Sequence, residues 1–269
     1  MPQPPKTYLR EELLKRGIES DIFPKKLYKF RNFGTRTNEI IEKSEFYFAL
    51  PSSFNDPFDC NLSYNEIYSE AEILQRYTYL SSKSDFPVES YIQKYSTNQE
   101  KFVENFNRLN QQLFNQCGIL SLSKTDDNIT MWSHYANNHT GLAFELDVSK
   151  DYDFFDGYGV VEYKEEYELL SYTENPKDSL ATLFLTKYTD WEYEQEVRII
   201  DYEKNGSRNF NKSALSKIIF GCKATEENIS EIINLCQKYG YCHTTFSKAE
   251  MKKGLFGLDF VDFDKSKYI

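Results

Sequence analysis

The chain has 269 residues, 40% of them hydrophobic and 16% aromatic, enough to bury a sizeable core and inconsistent with disorder beyond the termini. A formal charge of −10 opposes broad, nonspecific association with phosphate backbones, and the 5 cysteines, odd in number and without a CxxC pair, describe neither a disulfide framework nor a zinc site. No run approaches the ~20 apolar residues of a membrane span, and Met1 to Pro5 lacks the apolar centre of a signal peptide, so the expectation is a cytoplasmic protein with no membrane partner.

Residues 1–24 read as an N-terminal arm whose short helix, Tyr8 to Lys15, stops at Gly17. A single domain follows over 25–262, with a tail at 263–269. Leu27-Tyr28-Lys29-Phe30-Arg31 alternates as a strand does, which places Lys29 and Arg31 on one face. A helix is expected over Thr37 to Lys43 and a second strand over Glu45 to Ala49. The loop Pro51 to Asp59 is dense in residues that fix or bond their own backbone. A rigid turn accounts for Asn55, Asp56 and Pro57, but a loop this stiff also makes one wall of a pocket.

From Glu66 to Gln116 the pattern is helical, with Phe102, Val103, Phe106, Leu109, Leu113 and Phe114 forming one apolar stripe, an inserted layer without chemical motifs. Strands resume at Cys117 to Ser123, carrying Ser121-Leu122-Ser123. Asp126, Asp127 or Asn128 then caps a short helix that holds Met131-Trp132-Ser133-His134-Tyr135. Strands over Gly141 to Leu146 and Val160 to Tyr163 lead past the acidic, solvated stretch Glu165 to Glu168 into a helix over Leu180 to Lys187.

The next segment, Trp191-Glu192-Tyr193-Glu194-Gln195-Glu196-Val197-Arg198, is the most unusual. If Glu194 to Ile200 is extended, Glu194, Glu196 and Arg198 share one face while Val197 and Ile199 take the other. Adjacent like charges oppose folding unless Arg198 neutralises one of them or a ligand uses both; the plain alternative is a half-exposed strand with one ion pair. Beyond it lie a strand at Lys217 to Gly221, a helix from Glu226 to Tyr239 capped by Thr225, and strands over Tyr241 to Phe246 and Leu255 to Phe260. The eight or nine short strands, with helices clustered between particular ones, indicate an α+β fold with a mixed or antiparallel split sheet and the helical insertion at 66–116.

The strand at Leu27 to Arg31, the Pro-Ser-Ser-Phe-Asn-Asp-Pro-Phe-Asp loop, Met131 to Tyr135, Trp191-x-x-Glu194-x-Glu196-x-Arg198 and Ile218-Ile219-Phe220-Gly221 together resemble the bacterial family called domain of unknown function 2971, over residues 27 to 260. That resemblance implies no reaction; it associates the chain with antiphage defence or toxicity. A second resemblance is to ADP-ribosyltransferases, in which an early strand supplies a cation to NAD, a middle strand presents Ser-x-Ser and a late strand supplies Glu-x-Glu. It implies NAD as substrate, with Glu196 stabilising the oxocarbenium-like ribose and Glu194 orienting the acceptor. The nucleotide would be bound by Lys29, Arg31, Ser52, Asn55, Asp56, Ser121, Ser123, Trp132, His134, Tyr135 and Arg198.

The partners so implied are a small-molecule nucleotide and a protein or nucleic-acid acceptor, or a defence partner protein, with no metal. Arg198 beside the glutamates is foreign to the transferase pattern. Two other readings stand beside it. In a metal-dependent nuclease, Asp56, Asp59, Glu194 or Glu196 gathers the ion. In a binding module, Trp132, His134, Tyr135 and Trp191 form an aromatic pocket.

Overall fold

The computed structural model describes residues 6–60, 68–82, 89–90, 99–166 and 176–268. The described part of the inserted layer includes the helices α3 (Glu70–Ser81) and α4 (Gln99–Gln116). Of its expected apolar stripe only Val103 and Phe114 lie among the described side chains, and Phe114 packs on Phe184. The end of the acidic stretch Glu165 to Glu168 also lies outside the described residues.

The architecture is α+β. An eight-stranded mixed sheet runs β12-β11-β10-β4-β1-β3-β8-β5. Its strands are β1 (Lys26–Arg31), β3 (Gly118–Ser123), β4 (Leu142–Asp147), β5 (Tyr158–Val160), β8 (Glu196–Asp201), β10 (Leu215–Phe220), β11 (Thr245–Met251) and β12 (Leu258–Asp262). All neighbours are antiparallel except β10 and β11, whose parallel register requires a crossover, supplied by α7 (Glu226–Lys238). Ile229, Ile232, Ile233 and Cys236 on that helix are buried at three- and four-residue spacing, and Thr225 caps it by accepting from the Asn228 N–H. Two-stranded ladders flank the sheet: β2 (Glu45–Phe48) pairs with β9 (Gly206–Asn209), and β6 (Glu162–Lys164) with β7 (Thr186–Tyr188).

Most of the central strands are buried on both faces. β4 buries Leu142, Ala143, Phe144 and Leu146, and β8 buries every residue from Glu196 to Ile200. One face joins Phe46, Phe48, Phe154 and Phe210 in the main core. Leu14 and Ile18 of the first helix, α1 (Lys6–Glu19), belong to the same core. On the opposite face of β8, Ile200 meets Leu180, Leu183 and Phe184 of α6 (Pro176–Leu185).

The sheet is split at its centre. β1 shares six Cα pairs with β4, from Lys26↔Asp147 to Arg31↔Leu142, but meets β3 at Tyr28↔Ser123 alone. Past that pair the two strands part, and the gap between Lys29 to Arg31 on one side and Ile119 to Ser121 on the other opens into a cleft.

Several expected boundaries move for local reasons. The helix expected over Leu180 to Lys187 ends at Leu185, because Thr186 to Tyr188 leaves it to pair with β6. The strand expected over Tyr241 to Phe246 starts at Thr245, since Tyr241 is buried beneath α7 with its hydroxyl donating to Ser44 Oγ at 2.9 Å. Glu194 is not in the strand. It ends a 3-10 helix, Thr189–Glu194, and Gln195, with φ 44°, turns the chain before β8 starts at Glu196.

Candidate functional site

The cleft encloses about 880 Å³ and is bounded by β1, β3, the helix α2 (Thr35–Lys43), the loop at 53–59 and the segment from Lys187 to Glu196. Its floor is a buried ion cluster. Arg198 is wholly excluded from solvent and uses all of its N–H donors. Nε and Nη2 reach the Glu196 carboxylate at 2.8 and 3.0 Å, Nη1 and Nη2 reach Asp59 at 2.8 and 2.6 Å, and Nη1 also donates to the Phe184 carbonyl at 2.8 Å. The Phe184 carbonyl lies in the last turn of α6, one of the acceptors a helix end leaves without a partner, so the guanidinium also caps that helix. The Phe54 ring lies 5.2 Å from the guanidinium carbon.

Lys187 is the second cation of the cluster. Its Nζ donates to Glu194 at 2.5 Å and to Glu196 at 3.1 Å, and stands 3.6 Å from Asp59. Tyr135, at the end of α5 (Ile129–Tyr135), donates to the other Glu194 oxygen at 2.5 Å. Ser123 Oγ donates to the Glu194 carbonyl at 2.8 Å, and the Glu196 N–H donates to the Tyr163 hydroxyl at 2.7 Å. Three carboxylates against two cations leave a formal charge of −1 at the base of the cleft.

Burial opposes the charged form of Glu196, yet Arg198 first and Lys187 next, with hydrogen bonds from Arg198 and Ser121, hold its pKa down at about 2. Burial also works against the charges of Lys187 and Arg198. The carboxylates overcome it, Glu196 foremost, and raise both above their ordinary values. Tyr163 is pushed up to about 12, chiefly by burial.

The opposite wall is cationic. Lys29 Nζ donates to the Ser121 carbonyl at 2.7 Å, bridging the gap where β1 and β3 part. Burial first and Arg31 next bring its pKa down to about 8. Arg31 is itself lowered by burial and by Arg36, and its Nε is buried without an acceptor. Arg36 and Lys43 complete this side, Lys43 tied to Glu39 at 2.8 Å.

Of the residues expected at a site, Lys29, Arg31, Asn55, Ser121, Ser123, Tyr135, Glu194 and Glu196 all line this cleft. Others do not. Trp132 is fully buried against Phe30 and His139, with Nε1 donating to the Asp126 carbonyl at 2.6 Å, so it has no surface to offer a ligand. His134 is exposed away from the cleft and bonds the Tyr193 hydroxyl at 3.1 Å. Ser52 is exposed outside the cleft. Asp56 turns back on its own loop, accepting from the Phe58 N–H at 2.9 Å. Arg198 lies beneath the lining, where it holds Asp59 and Glu196 in place.

Lys187, Tyr163 and Arg36 were not anticipated. The signal for Lys187 was available, as a lysine directly ahead of a segment crowded with acids. Tyr163 and Arg36 reach the site only through the packing of their strand and helix.

Residues 131–199 match the model of a family described as "Protein of unknown function (DUF2971)". That span runs from α5 into β8 and contains Tyr135, Lys187, Glu194, Glu196 and Arg198. No curated protein matches the chain, and no solved structure does. Among the described residues no group of three or more His, Cys, Asp or Glu side chains is disposed to hold a metal ion, and no helix is long and apolar enough to cross a membrane.

Proposed function

We propose that the cleft binds a dinucleotide carrying a pyrophosphate, NAD foremost, and that the protein transfers ADP-ribose from it to an acceptor. The observation that carries this reading is the shared cleft: Lys29 and Arg31 on one wall face Ser121, Glu194 and Glu196 across the split in the sheet. Its volume of about 880 Å³ lies toward the upper end of the roughly 300–1,000 Å³ usual for ligand sites. Arg31, with an unpartnered Nε beside Arg36, supplies the charge and donors that a pyrophosphate would satisfy.

The state of Glu196 suits this chemistry. Breaking the nicotinamide–ribose bond develops positive charge on the ribose, and a fixed anion stabilises it best when it needs no reorganisation. A carboxylate pinned by Arg198 and Lys187, with a pKa of about 2, stays ionised throughout the physiological range. It acts as a charge and a hydrogen-bond acceptor, not as a proton carrier. Of the carboxylates a nuclease would give to a metal ion, Asp59, Glu194 and Glu196 are instead engaged by those two cations, and Asp56 accepts from the Phe58 N–H of its own loop.

The test is incubation of the wild-type protein with labelled NAD and cell extract, following nicotinamide release and label transfer, with NAD binding measured in parallel by titration calorimetry. Release is expected to fall by roughly 10²–10³ in Glu196→Gln, the scale for loss of one electrostatic stabiliser. Wild-type protein that neither binds nor consumes NAD would sink the proposal.

A further inference from the structure

If Glu196 is a fixed anion, the proton released by the acceptor must go elsewhere. Glu194 is engaged by Tyr135 on one oxygen and Lys187 on the other, and Asp59 is held by Nη1 and Nη2 of Arg198. Glu39 is tied to Lys43, and Glu45 accepts from Asn209 Nδ2 at 3.2 Å. Lys29 differs from these. It lines the cleft at the split between β1 and β3, its Nζ on the Ser121 carbonyl, and Glu194 and Glu196 act on it only at longer range.

We infer that Lys29 is the proton acceptor of the cleft, an assignment that rests on the transfer reaction proposed above. In that reaction the attacking oxygen or nitrogen forms a bond to the ribose C1′ as the bond from C1′ to the nicotinamide nitrogen breaks. Nicotinamide departs neutral with the bonding pair. The proton of the attacking group passes to the lone pair of Lys29 Nζ, and the resulting ammonium donates to the Ser121 carbonyl until solvent removes its proton.

A base works best with a pKa near the operating pH. The groups facing Lys29 provide for this in opposing ways. Burial and Arg31 on β1 lower it, Glu196 on β8 and Glu194 on the preceding 3-10 helix raise it, and Lys187 on β7 lowers it again, leaving a value of about 8. Near neutrality a usable fraction of the amine is therefore unprotonated, on a side chain that lines the cleft.

Two measurements test this and separate it from the reading beneath it. In the intact protein, lysines are reductively methylated with ¹³C-formaldehyde and titrated by NMR. The resonance missing from Lys29→Arg is expected to titrate near 8, and titration near the ordinary 10.5 would overturn the inference. Next, the pH dependence of NAD consumption is compared with that of Lys29→His. The acid limb is expected to move from about 8 toward the ordinary histidine value of roughly 6.5, and an unmoved limb would overturn the role even if turnover fell. A titration near 8 without any consumption of NAD would retire the transfer reaction and, with it, the role of Lys29 as its base. Turnover of NAD with a titration near 10.5 would remove Lys29 alone.

Discussion

Replacing Arg198 with methionine tests the buried cluster directly. The aliphatic stem is retained in volume, but Asp59 and Glu196 lose their shared partner, the Phe184 carbonyl loses its donor, and Lys187 is left to balance three carboxylates. The formal charge of the buried group goes from −1 to −2. Orphaning one side of a buried ion pair costs about 3–5 kcal/mol, because the remaining charge has neither water nor a counterion. At roughly 2–4 °C per kcal/mol for a large single domain, the melting temperature should fall by about 6–20 °C.

The assay is thermal and urea unfolding followed by circular dichroism near pH 7.5. Arg198→Lys should fall between wild type and Arg198→Met, since it keeps the charge but not the fork that grips two carboxylates. Arg198→Met combined with Glu196→Gln should be less destabilised than the sum of the two changes, by roughly 0.5–3 kcal/mol, because the second removes a charge the first leaves unpaired. If Arg198→Met unfolds within about 1 kcal/mol of wild type, or if the two changes simply add, the cluster does not hold the floor of the cleft as described.

Two further outcomes are expected. The pKa of Glu196 is about 2 in the folded protein against an ordinary 4.5, so its contribution is complete above about pH 4.5 and drains away as pH falls toward 2. At roughly 1.4 kcal/mol per pH unit it amounts to ~3 kcal/mol, and acid unfolding curves of Glu196→Gln should be correspondingly flatter over that range; a parallel curve would contradict the assignment. Trp132→Ala should cost about 3–5 kcal/mol through the cavity left against Phe30 and the lost bond to Asp126. NAD affinity of the folded fraction should be unchanged, and a selective loss of affinity would favour the aromatic-pocket reading.

Periodicity and turn chemistry located most of the elements and some of the residues around the cleft, while Ser121 and Ser123 entered as site residues through a resemblance. Alternation along Leu27 to Arg31 put Lys29 and Arg31 on a common side, Asn128 proved to be the cap of α5, and the stiff loop after Pro51 does supply Ser53, Phe54, Asn55 and Asp59 to the wall. These are readings of neighbours two to four residues apart, which local backbone geometry dictates. Tertiary structure decided what such spacing cannot carry. β8 is buried on both faces, so its charges need partners from distant chain: Asp59 lies 139 positions from Arg198, and Lys187 enters from β7. Trp132 and His134 lie within three positions of Tyr135 in sequence, yet the helical turn sends Trp132 into the core, His134 to solvent and Tyr135 to Glu194. The cleft itself exists because β1 and β3, separated by the whole helical insertion, meet at a single pair and then part. The position of that split depends on how the two halves of the sheet pack, which no local pattern encodes.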